Sequence, residues 1–499
     1  MSITPLRPGS ADGRVPDRDH PSSTTATADE VKRALERARR AQRVWGALSF
    51  RERARYLRRV RKALVADVDG MVATIVDDTG KLPTEALVNE VLLVCELMRY
   101  YERHGGAALA TRRVRAGLLV NKAAEVRYEP LGVVGVISPW NYPLVLALGA
   151  VVTALFAGNT VLLKPSEITP HVGLAIGALF DRVADRDGGL DDLVQVLVGP
   201  GSVGEMLVRS GVDKVSFTGS VATGKAVMRC AADTLTPVLL ELGGKDPMVV
   251  CDDANLDRAA HAAVWGAFTN SGQTCMAVER VYVTAAVYDS FVDKVVDATR
   301  KLRQGSGRGH DVGPMTWDRQ TEIVRRHLDD AIERGATVAV GGKSVTIGGR
   351  PSIEPTVLLD VDDSMLVMRE ETFGPVLPIM EVADASEALT KANASAYGLN
   401  SSIWTRDPVR LEQMIAGIEG GSVCVNDCLI SYAIPALPFG GVKSSGVGRA
   451  HGIEGLREFS KTKSVARDRI GLRNEPLWLP VPRWLDRGAR ILLRLRHGL

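Results

Sequence analysis

The sequence has few cysteines and no closely spaced pair of them. Six cysteines occur in 499 residues, and none forms the C-x-x-C pair that is typical of zinc and redox sites. This scarcity excludes a disulfide-rich secreted scaffold and favours a reducing, cytoplasmic setting. No metal site is expected.

Long apolar runs and an excess of one charge are also missing. The sequence has no uncharged apolar stretch of about 18 residues that would span a bilayer. Its 62 Lys and Arg residues nearly balance 59 Asp and Glu residues, which gives no electrostatic reason to expect a nucleic-acid partner. A basic run over residues 32–61 is better explained as a solvated helix face, because its few aromatic residues are not regularly interleaved.

Short β-rich runs alternate with helix-length segments along most of the chain. Residues 29–101 have the apolar spacing of helices, and residues 117–138 resemble strands joined by a turn. Further strands are predicted at Val133–Ile137, Thr160–Leu163, Leu193–Leu197, Lys214–Phe217 and Pro237–Glu241, and then near Val281, Val338–Gly341, Val376–Ile379 and Ser422–Asn426. The alternation predicts an α/β fold with two Rossmann-like parallel-sheet domains.

Cys275 closes the segment Asn270-Ser-Gly-Gln-Thr-Cys275. A small, polar, glycine-containing turn presents a thiol, as a nucleophile requires. A lone cysteine is more often a small core residue, so this segment does not decide the matter by itself.

Two other segments carry candidate catalytic groups. Glu241 ends an apolar run and is followed by two glycines, and a carboxylate at the end of a buried strand is costly unless it has a task. Asn141, in Pro139-Trp-Asn-Tyr-Pro143, follows a strand and can donate to an oxyanion. From that motif alone, an Asn in a turn is the simpler interpretation.

Two loops have the character of a nucleotide site. Lys164-Pro-Ser-Glu167 follows a predicted strand, and Gly219-Ser-Val-Ala-Thr-Gly-Lys225 joins a strand to a helix, where backbone N–H groups can meet phosphate. The second loop resembles a P-loop, but Ala226 replaces the hydroxyl residue that binds Mg²⁺. ATP or GTP hydrolysis is therefore excluded.

In their order and spacing, these segments resemble the motifs of the hydrolytic aldehyde dehydrogenases. The resemblance covers roughly residues 30–466, and Glu241 and Cys275 are separated by 34 positions, as in that family. The matching motifs are Pro139-Trp-Asn141, Lys164-Pro-Ser-Glu167, Phe217-Thr-Gly-Ser220, Glu241-Leu-Gly-Gly244, Gly272-Gln-Thr-Cys275, Glu370-Glu-Thr-Phe-Gly-Pro375 and Pro438-Phe-Gly-Gly441.

The resemblance implies roles for individual residues. Cys275 would be the nucleophile, Glu241 the general base, and Asn141 with the Cys275 backbone N–H the oxyanion hole. The implied dinucleotide-binding residues are Trp140, Asn141, Lys164, Pro165, Ser166, Glu167, Gly219, Ser220, Leu242, Glu371 and Phe373.

Within that set, the resemblance places the adenosine ribose at Lys164 and Glu167, the pyrophosphate at Gly219 and Ser220, and the nicotinamide end at Glu371 and Phe373. Glu167 suits the 2′-OH of NAD, whereas Lys164 and Ser166 suit the 2′-phosphate of NADP. Both cofactors remain open, with NADP preferred.

The resemblance also suggests a division of the chain. Residues 1–27 are expected to form a loose tail, because they are rich in Pro, Ser, Thr, Asp and Gly. The expected NAD(P)-binding domain comprises 28–112 and 132–241, the catalytic domain 242–457, and a small β oligomerisation arm 113–131 and 458–466. The arm implies a homodimer or homotetramer.

The expected product is a free acid, because the retained Glu241 separates this chain from relatives that release the thioester to coenzyme A. Arginines that grasp succinic semialdehyde in its specific dehydrogenases are replaced here by Thr269 and Gly149. Nearby residues are apolar and predict an aliphatic or aromatic aldehyde as substrate: Tyr142, Leu144, Val145, Leu146, Trp265, Phe268 and Met276.

Three alternatives remain at this point. One is NADP-dependent succinate-semialdehyde dehydrogenase activity, as the main or a secondary activity. Another is a catalytically silent homologue that serves as a structural or binding module. The third is an esterase, which would act without a cofactor.

The chain ends in an extension, residues 467–499, whose last part has a basic amphipathic pattern. Such a helix packs on its own subunit or on a partner more often than it lies on an anionic membrane, so packing is the favoured expectation.

Overall fold

A computed structural model describes residues 25–184, 190–475 and 477–498. Most of the predicted amino-terminal tail, residues 1–24, lies outside these ranges. Ala26 is buried and donates its N–H to the Val198 carbonyl at 2.9 Å. Ala26, which the sequence assigned to the tail, therefore packs against the rest of the chain.

The α-helices of the described chain are α1 (Ala28–Ala47), α2 (Phe50–Ala66), α3 (Val68–Thr79), α4 (Pro83–Glu85), α5 (Leu93–Ala108), α6 (Val145–Phe156), α7 (Pro170–Val183), α8 (Gly201–Arg209), α9 (Val221–Ala232), α10 (Leu256–Phe268), α11 (Tyr288–Arg300), α12 (Asp318–Glu333), α13 (Leu366–Arg369), α14 (Ala385–Asn393), α15 (Pro408–Gly417), α16 (Gly452–Glu458) and α17 (Trp484–His497). A π-helix covers Ala86–Leu92. Short 3₁₀ helices cover Thr269–Gly272, Ala285–Val287, Ile430–Ala433 and Lys443–Ser445.

The strands are β1 (Arg112–Val114), β2 (Lys122–Pro130), β3 (Val133–Ile137), β4 (Thr160–Lys164), β5 (Val194–Val196), β6 (Lys214–Thr218), β7 (Val238–Glu241), β8 (Asp246–Val250), β9 (Val278–Thr284), β10 (Thr337–Val340), β11 (Ser344–Ile347), β12 (Arg350–Ile353), β13 (Thr356–Leu359), β14 (Val376–Val382), β15 (Asn400–Trp404), β16 (Ser422–Val425), β17 (Gly446–Val447) and β18 (Ser460–Asp468).

The chain divides into two compact units, residues 1–109 with 129–461 and residues 110–128 with 462–499. The larger unit contains a six-stranded sheet in the order β17-β7-β6-β3-β4-β5. Its strands are parallel except for the two-residue edge strand β17. All five strands predicted for the first parallel sheet therefore exist and pair as expected.

The larger unit also contains a seven-stranded sheet in the order β10-β13-β14-β9-β8-β15-β16, with β10 antiparallel. Successive residues of β8 contribute to different cores: Met248 and Val250 to one, Val249 to the other. Side chains alternate across a strand, so this sheet is covered on both faces. The sequence predicted β9, β10, β14 and β16 but not β8, β13 or β15.

The amino-terminal helices confirm the predicted spacing. The five apolar residues of the first predicted helix face are all buried: Val31, Ala34, Leu35, Ala38 and Ala41. Thr27 with Glu30, and Ser49 with Glu52, form capping boxes that begin α1 and α2.

Several arginines of the basic run form ion pairs with acidic residues of the same chain. Arg37 pairs with Asp192 at 3.1 Å, and Arg61 pairs with Glu102 at 2.8 Å. Glu102 also accepts from Arg58 at 3.0 Å. These contacts agree with the interpretation of the run as a helix surface.

The smaller unit contains a three-stranded sheet in the order β1-β2-β18 and ends in α17. Lys122 pairs with Asp468 at 2.8 Å and also with Glu475, which accepts from Asn121 at 3.0 Å. These contacts fix residues 468–475 against β2. No helix in the described ranges is both long and apolar enough to cross a membrane.

Candidate active site

The register of the six-stranded sheet gathers the candidate residues at one edge. Ile137 is opposite both Lys164 and Phe217, and Thr218 is opposite Glu241. Parallel strands are about 4.8 Å apart and end on the same side. The loops that follow β3, β4, β6 and β7, all singled out from the sequence, therefore meet at the carboxyl edge.

Cys275 follows a strained turn at the end of α10. Asn270 and Ser271 have φ values of 50° and 55°, and Gly272 has φ of 71°. A Cβ at Gly272 would lie 2.1 Å from the Gly374 carbonyl oxygen. Only glycine fits this position, so the turn that presents Cys275 depends on the glycine of its motif.

The segment that carries Asn141 contacts the turn before the cysteine. The Asn141 side-chain amide donates to the Gln273 carbonyl at 3.0 Å, and the Tyr142 hydroxyl lies 2.8 Å from that of Thr274. Asn141 is buried. The predicted oxyanion donor and the nucleophile are thus held on adjoining segments.

The buried ion pair Lys81–Glu90 contacts the segment that carries Asn141. Lys81 donates to Glu90 at 2.6 Å and to the backbone carbonyl of Asn141 at 2.8 Å. Glu90 also accepts from the Leu144 N–H at 2.7 Å. Lys81 lies in the link between α3 and α4, and Glu90 lies on the π-helix. The sequence did not indicate either residue, because no local signal shows that such a pair supports a distant loop.

Glu241 and Cys275 line the same small cavity, of about 40 Å³. Neither carboxylate oxygen of Glu241 has a hydrogen-bond partner among the described residues, although the side chain is buried. A cavity of roughly 15 Å³ or more holds a water, which needs polar partners. This cavity therefore has room for water between a carboxylate and a thiol.

Burial alters the protonation of both groups. It raises the pKa of Glu241 to about 8, with the positive charge of Arg449 opposing the shift. Burial also raises the pKa of the Cys275 thiol well above its usual range, and the carboxylates of Glu241, Glu371 and Asp246 add to that effect. Before a cation enters the site, the thiol form of Cys275 is favoured.

Glycines provide the room that these carboxylates occupy. A Cβ at Gly243 would lie 2.1 Å from one oxygen of Glu371, and the Gly244 N–H donates to the other at 3.2 Å. Gly440, with φ of 155°, has the same relation to Glu241, since a Cβ there would lie 2.9 Å from its Oε1. The glycines of two sequence motifs are explained by close approach to side chains.

The predicted ribose-binding residues form an ion pair at the end of β4. Lys164 is buried and donates to Glu167 at 2.8 Å, whereas Glu167 is half exposed. Ser166 accepts from the Ile168 N–H at 3.2 Å, and Pro165 packs where a Cβ of Gly173 would be. A buried ammonium beside a carboxylate that can turn outward fits a ribose or its phosphate.

The predicted pyrophosphate residues lie between β6 and α9. Ser220 caps α9 and accepts from the Thr223 N–H at 3.3 Å. The Gly219 N–H donates to the Glu241 carbonyl at 3.0 Å, so this glycine provides space rather than a free donor. Leu242 packs against Gly224 of α9. A helix amino terminus next to a residue without a side chain fits a phosphate group.

The predicted nicotinamide end is built around Phe373. The Phe373 and Trp140 rings lie edge to face at 5.4 Å, and Phe373 has φ of 51°. Glu279 accepts from the Phe373 N–H at 2.9 Å and pairs with Lys245 at 2.6 Å. Burial raises the pKa of Glu371 to about 8. Together with the sheet edge, these residues fit a dinucleotide.

Cys275 also lines a second cavity, of about 230 Å³, whose described lining residues carry no charged side chain. Thr269 lies in this cavity, and Gly149 lies in the smaller one beside Glu241. Thr269 and Gly149, the two positions that carry arginines in the succinic semialdehyde enzymes, therefore both face the site.

Most of the predicted pocket residues line the larger cavity: Tyr142, Val145, Leu146, Trp265 and Met276. Leu144 and Phe268 do not, which corrects the prediction. Both are fully buried, and Phe268 belongs to a core of the seven-stranded sheet. Seven other residues that the sequence did not indicate also line this cavity: Val88, Asn89, Leu93, Leu429, Ile430, Tyr432 and Ala433.

A family model described as the aldehyde dehydrogenase family matches residues 19–465. A relative from Methylomonas sp., named 4,4'-diapolycopene aldehyde oxidase, is 44% identical over 452 residues, covering 90% of this chain and 84% of the relative. A relative from Mycolicibacterium smegmatis, named as a candidate NADP(+) succinate-semialdehyde dehydrogenase, is 38% identical over 462 residues, covering 92% and 88%.

The fold is also shared with solved structures. The NAD⁺ complex of an aldehyde dehydrogenase from Bacillus cereus has a TM-score of 0.84 and 32% sequence identity, covering 89% of this chain and 90% of that chain.

Proposed function

Because the chain belongs to the aldehyde dehydrogenase family, we propose that it oxidises an apolar aldehyde to the carboxylic acid with NAD(P) as oxidant. The observation that carries the proposal is the position of Cys275 between two cavities. One is apolar and of a size for an aldehyde, and the other holds Glu241 with room for water.

The reaction begins when the Cys275 thiol loses its proton to solvent water, and the thiolate sulfur then attacks the aldehyde carbon. The carbonyl oxygen becomes an oxyanion, for which the Asn141 amide is the donor on the adjoining segment. In this structure that amide donates to the Gln273 carbonyl, so it must turn toward the substrate. Losing one such donor typically costs about 3–4 kcal/mol of transition-state stabilisation.

The residues proposed to hold the dinucleotide are Trp140, Asn141, Lys164, Pro165, Ser166, Glu167, Gly219, Ser220, Leu242, Glu371 and Phe373. When bound, it supplies the two-electron oxidant that converts the Cys275 adduct to a thioester. The Lys164–Glu167 pair admits NAD if Glu167 meets a 2′-OH, or NADP if Glu167 turns aside and Lys164 meets a 2′-phosphate. We retain the preference for NADP.

Hydrolysis of the thioester is assigned to Glu241. Its unpartnered carboxylate takes a proton from a water in the shared cavity, and the resulting hydroxide attacks the acyl carbon. The C–S bond breaks, the thiolate is released, and the acid leaves. A base of raised pKa is well matched to this step near neutral pH.

The apolar cavity supports an aliphatic or aromatic substrate. Its mouth is rimmed by exposed apolar residues, among them Val88, Trp265 and Ile430, which give an extended apolar chain a surface to lie on beyond the cavity. The Methylomonas relative is named for 4,4'-diapolycopene aldehyde. A long unsaturated or saturated aldehyde therefore belongs in the tested set.

Succinic semialdehyde is the second candidate, favoured by the name of the Mycolicibacterium relative. Thr269 and Gly149 offer no positive charge to its carboxylate. A carboxylate transferred into an apolar cavity without a partner loses several kcal/mol of hydration free energy. We therefore expect succinic semialdehyde to be the poorer substrate.

The test is the initial rate of NAD and NADP reduction over succinic semialdehyde, medium-chain, long-chain and aromatic aldehydes, with Cys275→Ala as control. Activity on apolar aldehydes that the substitution abolishes supports the proposal. Activity confined to succinic semialdehyde keeps the mechanism and rejects the substrate class. Ester hydrolysis alone, without NAD(P), would favour the esterase alternative, and no activity would favour the silent homologue.

The three-stranded sheet of the smaller unit is proposed to be an oligomerisation arm. Leu118, Leu119 and Val120 in the turn before β2 are exposed, and apolar residues on an exposed arm are typical of subunit contacts. Light scattering of the purified protein should give the mass of a dimer or a tetramer.

A further inference from the structure

The carboxyl-terminal helix α17 buries none of its side chains. Trp484, Ile491 and Leu495 are 61%, 51% and 80% exposed, and no residue of the helix is buried. The sequence favours packing of this helix on its own subunit or on a partner. In the described structure its apolar face is exposed and therefore open to a partner.

The helix is strongly amphipathic. With 100° between successive residues, Trp484, Ile491 and Leu495 lie within about 40° of one another. Leu492 widens the same stripe, whereas Leu493 lies on the opposite side. Arg487, Arg490 and Arg494 adjoin each other on the polar face.

Exposed apolar residues continue just before the helix. Leu477, Trp478, Leu479 and Val481 are all exposed. Two tryptophans therefore occur beside this apolar surface, and tryptophan prefers the boundary between water and the acyl chains of a bilayer. The segment 477–498 has the composition of an interfacial helix with an apolar lead-in.

The charge of the helix selects the kind of partner. Residues 483–498 contain five arginines and one acidic residue, Asp486, which pairs with Arg490 at 3.0 Å. No other arginine of this segment has an ionic partner among the residues that the structure describes. A cluster of unpaired arginines beside an apolar stripe complements lipid phosphates and acyl chains together.

We propose that residues 477–498 dock the enzyme on an anionic lipid bilayer. The helix lies in the plane of the interface, with Trp484, Ile491 and Leu495 at the boundary with the acyl chains and the arginines at the headgroup phosphates. The inference uses only the smaller unit and does not depend on the identity of the aldehyde.

The test is sedimentation of the full-length protein with two kinds of vesicle, phosphatidylcholine alone and phosphatidylcholine mixed with phosphatidylglycerol. The protein should bind the mixed vesicles, and raised salt should weaken binding because screening reduces the arginine contribution. Leu495→Gln should weaken binding about tenfold, since an apolar side chain is removed from the interface.

Leu493→Gln is the matched control, because it makes the same change on the opposite side of the same helix. It should bind nearly as well as the native protein, and both variants should keep the native rate on a water-soluble aldehyde. Equal losses in both variants, or no preference for phosphatidylglycerol, overturn the proposal.

Light scattering tests the alternative that a second copy of the chain covers this face of α17. If Leu495→Gln lowers the oligomeric mass while the native protein binds no vesicles, the helix packs on a second copy of the chain and the membrane proposal is wrong. Failure of the substrate panel would leave the vesicle result unaffected.

Discussion

Glu241 and Cys275 face one small cavity, in which the Glu241 carboxylate has no hydrogen-bond partner among the described residues. Glu241 ends β7 of the six-stranded sheet, and Cys275 follows the turn after α10. The two groups are therefore brought together by the junction of the two sheets. At this junction, Glu241 can act as a base on water and can alter the protonation of Cys275.

Glu241→Gln should separate acylation from hydrolysis. An amide cannot take a proton from water, so kcat should fall by about 10²–10⁴-fold. Reduction of the first equivalent of NAD(P) should still appear as a rapid burst, because Cys275 is intact. A stopped-flow measurement checks this, and loss of the burst together with kcat would assign Glu241 to the acylation step.

The same substitution should make Cys275 more reactive toward iodoacetamide. Glu241 makes the largest carboxylate contribution to the raised pKa of the thiol, after burial itself. At pH 9, where a carboxyl group with a pKa of about 8 is mostly ionised, removing its charge lowers the pKa of the thiol and increases the thiolate fraction. Alkylation of the cofactor-free protein, followed by mass spectrometry with Cys275→Ala as blank, should be faster in the variant than in the native protein.

The pH dependence of kcat should follow the raised pKa of Glu241, about 8. A base is active only when deprotonated, so kcat should increase as pH rises from about 6 toward 9, provided that hydrolysis limits turnover. A kcat that is flat across this range while the Glu241→Gln variant is inactive would show that Glu241 is ionised far below its expected pKa.

Thr269→Arg should reverse the substrate preference. Thr269 lines the apolar cavity with Cys275, and an arginine there can pair with a substrate carboxylate. KM for succinic semialdehyde should fall and KM for medium-chain aldehydes should rise, each by about tenfold, because the guanidinium pairs with a substrate carboxylate and places a charged group where an apolar chain would lie. If the two values shift in the same direction, the cavity does not bind the substrate tail.

Gly243→Ala should weaken cofactor binding. The new Cβ would lie 2.1 Å from a Glu371 oxygen, so Glu371 must move away from the proposed nicotinamide end. KM for NAD(P) should rise with little loss of stability, because a side-chain end can yield. Gly201→Ala, whose Cβ meets nothing within 4 Å, is the control, and equal effects of the two would contradict this role of Glu371.

Much of the site follows from local sequence. The turn around Cys275, the carboxylate at the end of β7 and the loops after β4 and β6 were recognised because glycines, prolines and polar residues at strand ends are local signals. Parallel strands end at one edge, so the meeting of these loops could also be predicted. The helices within residues 29–101 could likewise be predicted, because their apolar residues recur at helical spacing.

The substrate cavity could not be completed from sequence. Leu144 and Phe268 were expected in its wall, and Val88 and Ile430 were not, because the face that a helical residue presents depends on which neighbour packs against it. The π-helix Ala86–Leu92 is an example, because Val88 lines the cavity whereas Glu90 is buried against Lys81.

The sequence alone determined the α/β class and indicated Cys275 and Glu241 as the candidate nucleophile and base, because a carboxylate at the end of a buried strand and a thiol in a small polar turn are both local features of the sequence. Tertiary structure decided that Gly219 gives space instead of a donor, that Gly243 makes room for Glu371, and that α17 keeps its apolar face exposed. Each of these depends on distances between segments far apart in the chain, which packing of the whole fold sets.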